Sequence, residues 1–132
     1  MAYAIASGLE DEGVPVRIID IQKNHHSDVM TELADCGAVI VGSATHNNNV
    51  LPGIADVLTY MKGLRPLNRV GAAFGSYGWS GESPKIIQEW LASMNMDMPA
   101  DPVKCLFVPK HEGLSQCVAL GKTVAEALKA KC

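Results

Sequence analysis

Two polar, glycine-containing stretches carry the residue types that could bind a small molecule. The first, GSATHNNNVLPG at residues 42–53, offers short hydroxyl and amide side chains that can hydrogen-bond a polar heterocycle. The second, FGSYGWSGESP at residues 74–84, contains glycines that let the backbone approach a ligand closely. Its Tyr77 and Trp79 provide flat faces for stacking. The two stretches together predict two walls of a site for a flat, polar ring.

Hydrophobic periodicity predicts the elements that position these stretches. Apolar runs of strand character alternate with helical patterns, which is typical of a doubly wound α/β fold with a parallel sheet. Ligands of such folds bind beyond the carboxyl ends of the strands, where both stretches fall. The 132 residues suit a single domain, residues 1–132. The predicted order is helix 1–13, strand 14–20, helix 28–35, strand 38–42, helix 52–63, strand 70–74, helix 83–94, strand 104–108 and helix 114–130.

Local signals mark several of the element ends. Gly13 follows the first helical pattern and is expected to cap its carboxyl end. Ser83 precedes Pro84, so we expect Ser83 to be the N-cap of the helix that follows the second stretch. Residues 23–27 are predicted to form a polar loop.

Composition argues against several classes of partner. With a net charge of −3, the chain has no basic excess that would favour nucleic acid or an anionic membrane surface. It has no apolar run long enough to cross a bilayer and no charged-then-apolar leader, so we expect a cytoplasmic protein. The cysteines lack metal-ligand spacing and are expected to be reduced thiols. They are Cys36, Cys105, Cys117 and Cys132.

Neither catalytic nor metal chemistry has support in the motifs. Ser76 and Ser80 flank glycines, but no histidine is placed to act as their base. Gly42 and Ser43 stand where a phosphoryl-accepting receiver needs an aspartate, and no GxGxxG follows a strand. The four histidines lie in predicted loops without metal-ligand spacing, and a solvated turn is expected at residues 25–28. We predict no catalytic residue and no metal site.

The stretch from Gly42 to Glu82 resembles the flavodoxin-like domain of flavodiiron proteins, also called A-type flavoproteins, and the resemblance extends over nearly the whole chain. It implies an FMN-binding domain that relays electrons to a redox partner protein, which stays unidentified. Ala44 and Asn49 depart from the residues common in that family, proline and glycine. The resemblance assigns one wall to Ser43, Thr45, Asn47 and Asn48, and the other to Gly75, Ser76, Tyr77, Gly78, Trp79 and Gly81, with Trp79 stacking on the flavin.

The chain opens inside a helical pattern, with no strand before it. In the family that this chain resembles, a first strand ends in a hydroxyl-rich loop that holds the FMN phosphate at a helix N-terminus. We therefore expect weakened or lost FMN affinity and a sheet that lacks its first strand. Unpaired strand edges on either side of that gap favour pairing with a second copy, so we expect a homodimer.

Other interpretations stay open from the sequence. Asparagine-rich stretches are often plain turns, and a Gly-Trp pair can simply cover a core. A non-catalytic flavodoxin-fold scaffold that binds no flavin and self-associates would keep the same core. A truncated gene product, whose preceding DNA encodes the missing strand and loop, is the third possibility.

Overall fold

The computed structural model describes residues 1–34, 36–45, 49–64, 69–78 and 81–131. Within these residues, helices and strands alternate from residue 38 onward, as the sequence predicts. The helices are α1 (Ala2–Asp11), α2 (His26–Leu33), α3 (Pro52–Leu64), α4 (Ser83–Ser93) and α5 (His111–Lys131), and the strands are β1 (Ala38–Ala44), β2 (Val70–Tyr77) and β3 (Val103–Leu106).

The described strands form one parallel sheet in the order β1-β2-β3. Apolar side chains pack against both faces of the sheet, because successive residues of β2 point to opposite sides. Ala73 joins a cluster with residues of α3 and α4, whereas Val70 and Ala72 join a cluster with residues of α1 and α5. The predicted α/β class, with helices on both faces of a parallel sheet, is confirmed.

The predicted strand at residues 14–20 is wrong. These residues lie in the described part of the chain but have no regular secondary structure. A strand needs a neighbour to satisfy its backbone groups, and β1 pairs with β2 alone among the described strands. Since α1 begins at Ala2, the described chain has no strand before its first helix. Among the described residues, no strand pairs with residues 14–20 to supply these hydrogen bonds.

Strand boundaries also differ from the sequence prediction. β1 and β2 each continue into the predicted loops because Ser43 pairs with Gly75 and Ala44 pairs with Ser76. Gly75, Ser76 and Tyr77 are thus strand residues. β3 ends at Leu106, earlier than predicted, because Phe107 has a left-handed backbone with φ of 54°.

The helix ends test two further predictions. Gly13 caps α1 as expected: its φ is 78°, and its N–H donates to the carbonyl of Glu10 at 2.9 Å. The predicted start of the second helix at residue 28 is too late. His25 caps α2, since its ring accepts from the N–H of Ser27 while Asp28 accepts from the N–H of His25.

The histidines, the cysteines and the lengths of the helices bear on three further predictions. His26 meets Asp56 at 2.9 Å and stacks on Tyr60. In the described ranges, no group of three potential metal ligands comes together. Cys36, Cys105 and Cys117 are free thiols, and Cys132 lies outside the described residues. None of the described helices is both long and apolar enough to span a membrane.

Candidate functional site

The carboxyl ends of β1 and β2 bring parts of the two polar stretches side by side. Ser43 lies opposite Gly75 in the register. The N–H of Thr45 donates to the carbonyl of Ser76 at 2.9 Å, which extends the pairing past the last residue of β1. These predicted site residues therefore share one edge of the sheet. Asn47, Asn48 and Trp79, which complete the predicted site, lie outside the described residues.

Ser83 links this edge to the start of α4. Its side chain is fully buried, and its hydroxyl donates to the carbonyl of Ser43 at 3.0 Å. The hydroxyl of Thr45 donates to Ser83 Oγ at 2.9 Å and accepts from the Ser83 N–H at 3.2 Å. These hydrogen bonds fix the first stretch against the second.

The expected N-cap role of Ser83 is wrong. Glu82 occupies the N-cap position without a side-chain capping bond, and Ser83 is the first helical residue. A serine before a proline is normally a capping signal. The acceptor that Ser83 uses instead, the Ser43 carbonyl, lies 40 positions away in sequence, so no local pattern could have assigned this role.

The hydroxyl of Ser43 is already engaged inside the first stretch. Ser43 is buried, its Oγ accepts from the N–H of Leu51 at 2.9 Å, and it donates to the carbonyl of Ala44 at 2.8 Å. The bond from Leu51 holds the residue before α3 against the end of β1. The predicted ligand contact of Ser43 stays a prediction.

Gly75 has no room for a side chain. A Cβ atom here would overlap the carbonyl oxygen of Ser43 and lie 2.9 Å from Ser83 Oγ. The sequence predicts that this glycine allows a ligand to approach. In the structure, the missing side chain of Gly75 also allows β1 and α4 to approach β2 closely.

The second wall includes residues that the sequence analysis missed. The Phe107 ring packs over Gly78, and its Cε1 lies 3.0 Å from the position that a Cβ atom on Gly78 would take. The backbone N–H of Phe107 donates to the carbonyl of Tyr77. Lys104 extends across Gly81, and its Nζ lies 5.8 Å from the centroid of the Tyr77 ring. Both residues come from β3 or directly follow it. The available signal was an aromatic residue placed just after a strand, at the ligand-binding edge.

The chemistry of this edge suits binding more than acid–base catalysis. It combines hydroxyl groups and backbone amides with aromatic rings. Glu82 Oε2 is also buried, with no hydrogen-bond partner among the described residues, and so can accept from a ligand N–H.

The two thiols with shifted pKa values lie away from this edge. Burial raises the pKa of the Cys36 thiol, and the nearby Arg69 partly offsets this rise. Burial also raises the pKa of the Cys117 thiol.

A parallel α/β sheet with polar and aromatic groups gathered at the carboxyl ends of adjacent strands defines a class of protein that binds a ligand at that edge. The flavodoxin family model matches residues 1–121 of the chain. This chain belongs to the flavodoxin family.

The relatives also include flavodiiron proteins. The rubredoxin-oxygen oxidoreductase of Megalodesulfovibrio gigas is 53% identical over 131 residues, which are 99% of this chain and 33% of that protein. A solved rubredoxin oxygen:oxidoreductase from Desulfovibrio gigas matches with a TM-score of 0.96 and 52% identity over 98% of this chain and 32% of that one. The flavodiiron protein from Giardia intestinalis matches with a TM-score of 0.91 and 27% identity over 99% of this chain and 33% of that one.

The chain spans about a third of the length of these relatives. It is homologous to their flavodoxin-like domains, and the resemblance seen in the sequence is confirmed.

Proposed function

We propose that this chain is an FMN-binding electron-transfer domain. The observation that carries the proposal is the joining of the two predicted walls by Thr45 and Ser83, at the ligand-binding edge of a flavodoxin-family sheet. Bound flavin supplies one- or two-electron transfer. The protein binds the ring, orients it and shields it from water.

The residues at this edge fit a flavin. Thr45, Asn47 and Asn48 would border the ring and its ribityl chain on one side. Tyr77, Gly78 and Trp79 would form the other wall, together with Phe107. The unpartnered Glu82 oxygen suits an N–H donor on the ring edge.

We further propose that this 132-residue chain holds the FMN phosphate weakly. Met1 is the N-cap of α1 and makes no side-chain capping hydrogen bond. Hydrogen bonds to charged groups contribute about 1.5–3 kcal/mol each. The loss of several such bonds lowers affinity by orders of magnitude, at about 1.4 kcal/mol per tenfold. FMN and riboflavin should then bind with similar affinity.

The names of the relatives describe oxidoreductases. We propose for this chain the electron-carrying step alone, with a separate redox protein as donor or acceptor.

Flavin titration tests the proposal. FMN and riboflavin are added to the purified chain, and binding is followed by quenching of flavin fluorescence. We expect quenching by both, with dissociation constants within about tenfold of each other. Binding of neither ligand would favour the scaffold and overturn the flavin proposal. If FMN binds 100-fold or more tightly than riboflavin, the phosphate contributes at least about 2.7 kcal/mol to the binding free energy. That result would contradict the weak phosphate site.

A matched pair of variants locates the binding site. Asn48→Ala removes an amide from the first wall and should weaken flavin binding by about tenfold. Asn24→Ala is the control, because the amide of Asn24 only donates to the carbonyl of Asp20 in an exposed turn, at 2.9 Å. Equal affinity in both variants would place the flavin elsewhere.

A further inference from the structure

Two free thiols lie on neighbouring elements, β3 and α5. Cys105 in β3 is 8% exposed, and Cys117 in α5 is fully buried. Cys117 packs in the cluster that contains Val70 and Ala72 of β2. Cys36, the third described thiol, packs against the other cluster, on the opposite face of the sheet. The sheet therefore separates Cys36 from Cys117.

A glycine near the start of α5 lets the Cys105 sulfur approach the helix. A Cβ atom on Gly113 would lie 2.6 Å from Cys105 Sγ and 3.8 Å from Cys105 Cβ. Because the sulfur is the nearer of the two atoms, the Cys105 side chain points at α5. A side chain at position 113 would compete with the thiol for this space.

Cys117 follows Gly113 by one helical turn. Cβ positions four residues apart on a helix are about 5–6 Å from each other. Helical side chains also lean toward the N-terminus, so Cys117 is directed back toward the turn that Cys105 contacts. Together with the 3.8 Å separation at Gly113, this spacing puts the Cβ atoms of Cys105 and Cys117 no more than about 10 Å apart. The Cβ separation of a disulfide, about 3.5–4.5 Å, falls within this limit.

The two thiols also interact electrostatically. Burial is the main cause that raises the pKa of Cys117, and the nearby Cys105 is the second. Such an interaction weakens with distance, so it agrees with the placement of the two sulfur atoms in one space. Cys105 is the more exposed of the two thiols, which makes it the one that a reagent in solution reaches first.

We propose that Cys105 and Cys117 form a reversible disulfide that joins β3 to α5, with a low-molecular-weight disulfide as the oxidant. Cys105 loses its proton and attacks one sulfur of the oxidant, which forms a mixed disulfide and releases the first small thiol. Cys117 then loses its proton, attacks the Cys105 sulfur and releases the second small thiol. Two electrons pass from the cysteines to the oxidant, and the two protons end on the released thiols.

The disulfide would connect the second wall of the candidate site to α5. Cys105 lies opposite Ser76 in the register, and Phe107 follows it by two residues. A link from Cys105 to α5 would therefore restrain the end of β3 and hold the Phe107 ring over Gly78. The inference does not depend on flavin binding, because neither the disulfide nor its test involves a flavin.

Peptide mapping tests the proposal. The reduced chain is treated with hydroxyethyl disulfide, the remaining thiols are blocked with iodoacetamide, and trypsin digests the product without reduction. Lysines bound each of the two peptides that carry the thiols, residues 105–110 and 111–122. We expect these peptides to be joined, with a mass lower than their sum by two hydrogens, in a chain that stays monomeric. Blocking of both thiols by iodoacetamide, linkage of either to Cys36 or Cys132, or a mixed disulfide that persists on Cys105 would overturn the proposal.

Three variants and thermal unfolding check that the disulfide suits the native fold. Cys105→Ala and Cys117→Ala should lose the joined peptides, whereas Cys36→Ala is the matched control and should keep them. Oxidation should raise the midpoint of thermal unfolding by about 5–10 °C in the unmodified chain and in the control, because a cross-link restricts the unfolded chain. It should leave the midpoints of the other two variants unchanged. A lower midpoint on oxidation would show that the disulfide forms only by distorting the fold, which would overturn the proposal.

Discussion

At the scale of residues, a few buried hydroxyl groups hold the candidate site together. Ser83 is fully buried and bonds to both Ser43 and Thr45. In a buried position each such bond matters because its loss leaves a partner unsatisfied. The two walls of the candidate site thus depend on a serine that the sequence alone assigned to helix capping.

Replacing Ser83 with alanine should destabilise the fold. The Ser43 carbonyl and the Thr45 hydroxyl would lose a buried partner, so the free energy of unfolding should fall by about 1–3 kcal/mol. Urea unfolding followed by far-UV circular dichroism measures the change. Ser93→Ala is the control, because the Ser93 hydroxyl is exposed and donates to Trp90 at the other end of α4. Its effect should stay within about 0.5 kcal/mol. Equal losses in both variants would contradict the importance of the buried network.

At the scale of elements, α1 and α5 approach each other through glycines. A Cβ atom on Gly8 would overlap the Val118 carbonyl, and one on Gly121 would overlap the Ile5 carbonyl. The backbones of the two helices are therefore in direct contact. This contact places Ile5 and Leu9 of α1 in the same cluster as Val124 of α5.

Gly121→Ala should push the two helices apart. Overpacking of this kind costs about 1–3 kcal/mol, which exceeds the gain from replacing a helical glycine. Gly63→Ala in α3 is the matched control, since nothing lies within 4 Å of its Cβ position. That variant should raise the free energy of unfolding by about 0.5–1 kcal/mol. Thermal unfolding compares the two, and a stabilised Gly121→Ala would show that the helices can separate without loss.

At the scale of the whole molecule, one central strand supports both cores. β2 places Ala73 among the residues of α3 and α4, and Val70 and Ala72 among those of α1 and α5. If β2 left one of the two cores, it would leave the other as well and expose both. The described elements should therefore unfold as one cooperative unit.

Cooperative unfolding can be checked with two probes. Trp90 packs against the α3–α4 cluster, so its fluorescence in a Trp79→Phe variant reports on that side. Far-UV circular dichroism reports on all the helices, including α5. We expect the same urea midpoint from both probes. Separate midpoints would mean that the α1–α5 side unfolds independently.

The sequence by itself determined the features that depend on neighbouring residues. Apolar periodicity predicted the alternation of strands and helices after residue 38, and Gly13 predicted the end of α1. The resemblance of residues 42–82 to the domain of flavodiiron proteins implied the flavodoxin-like class. These signals are local, because helix periodicity, strand alternation and caps act over a few residues.

Only the tertiary structure decided the features that need a distant partner. Residues 14–20 have strand composition but no strand, since sheet hydrogen bonding requires a neighbour that the described chain does not supply. Ser83 has the sequence of a cap but bonds across to β1. Phe107 joins the second wall because β3 ends beside Tyr77. In each case the hydrogen-bond partner or the missing neighbour lies far along the chain, where composition carries no information about it.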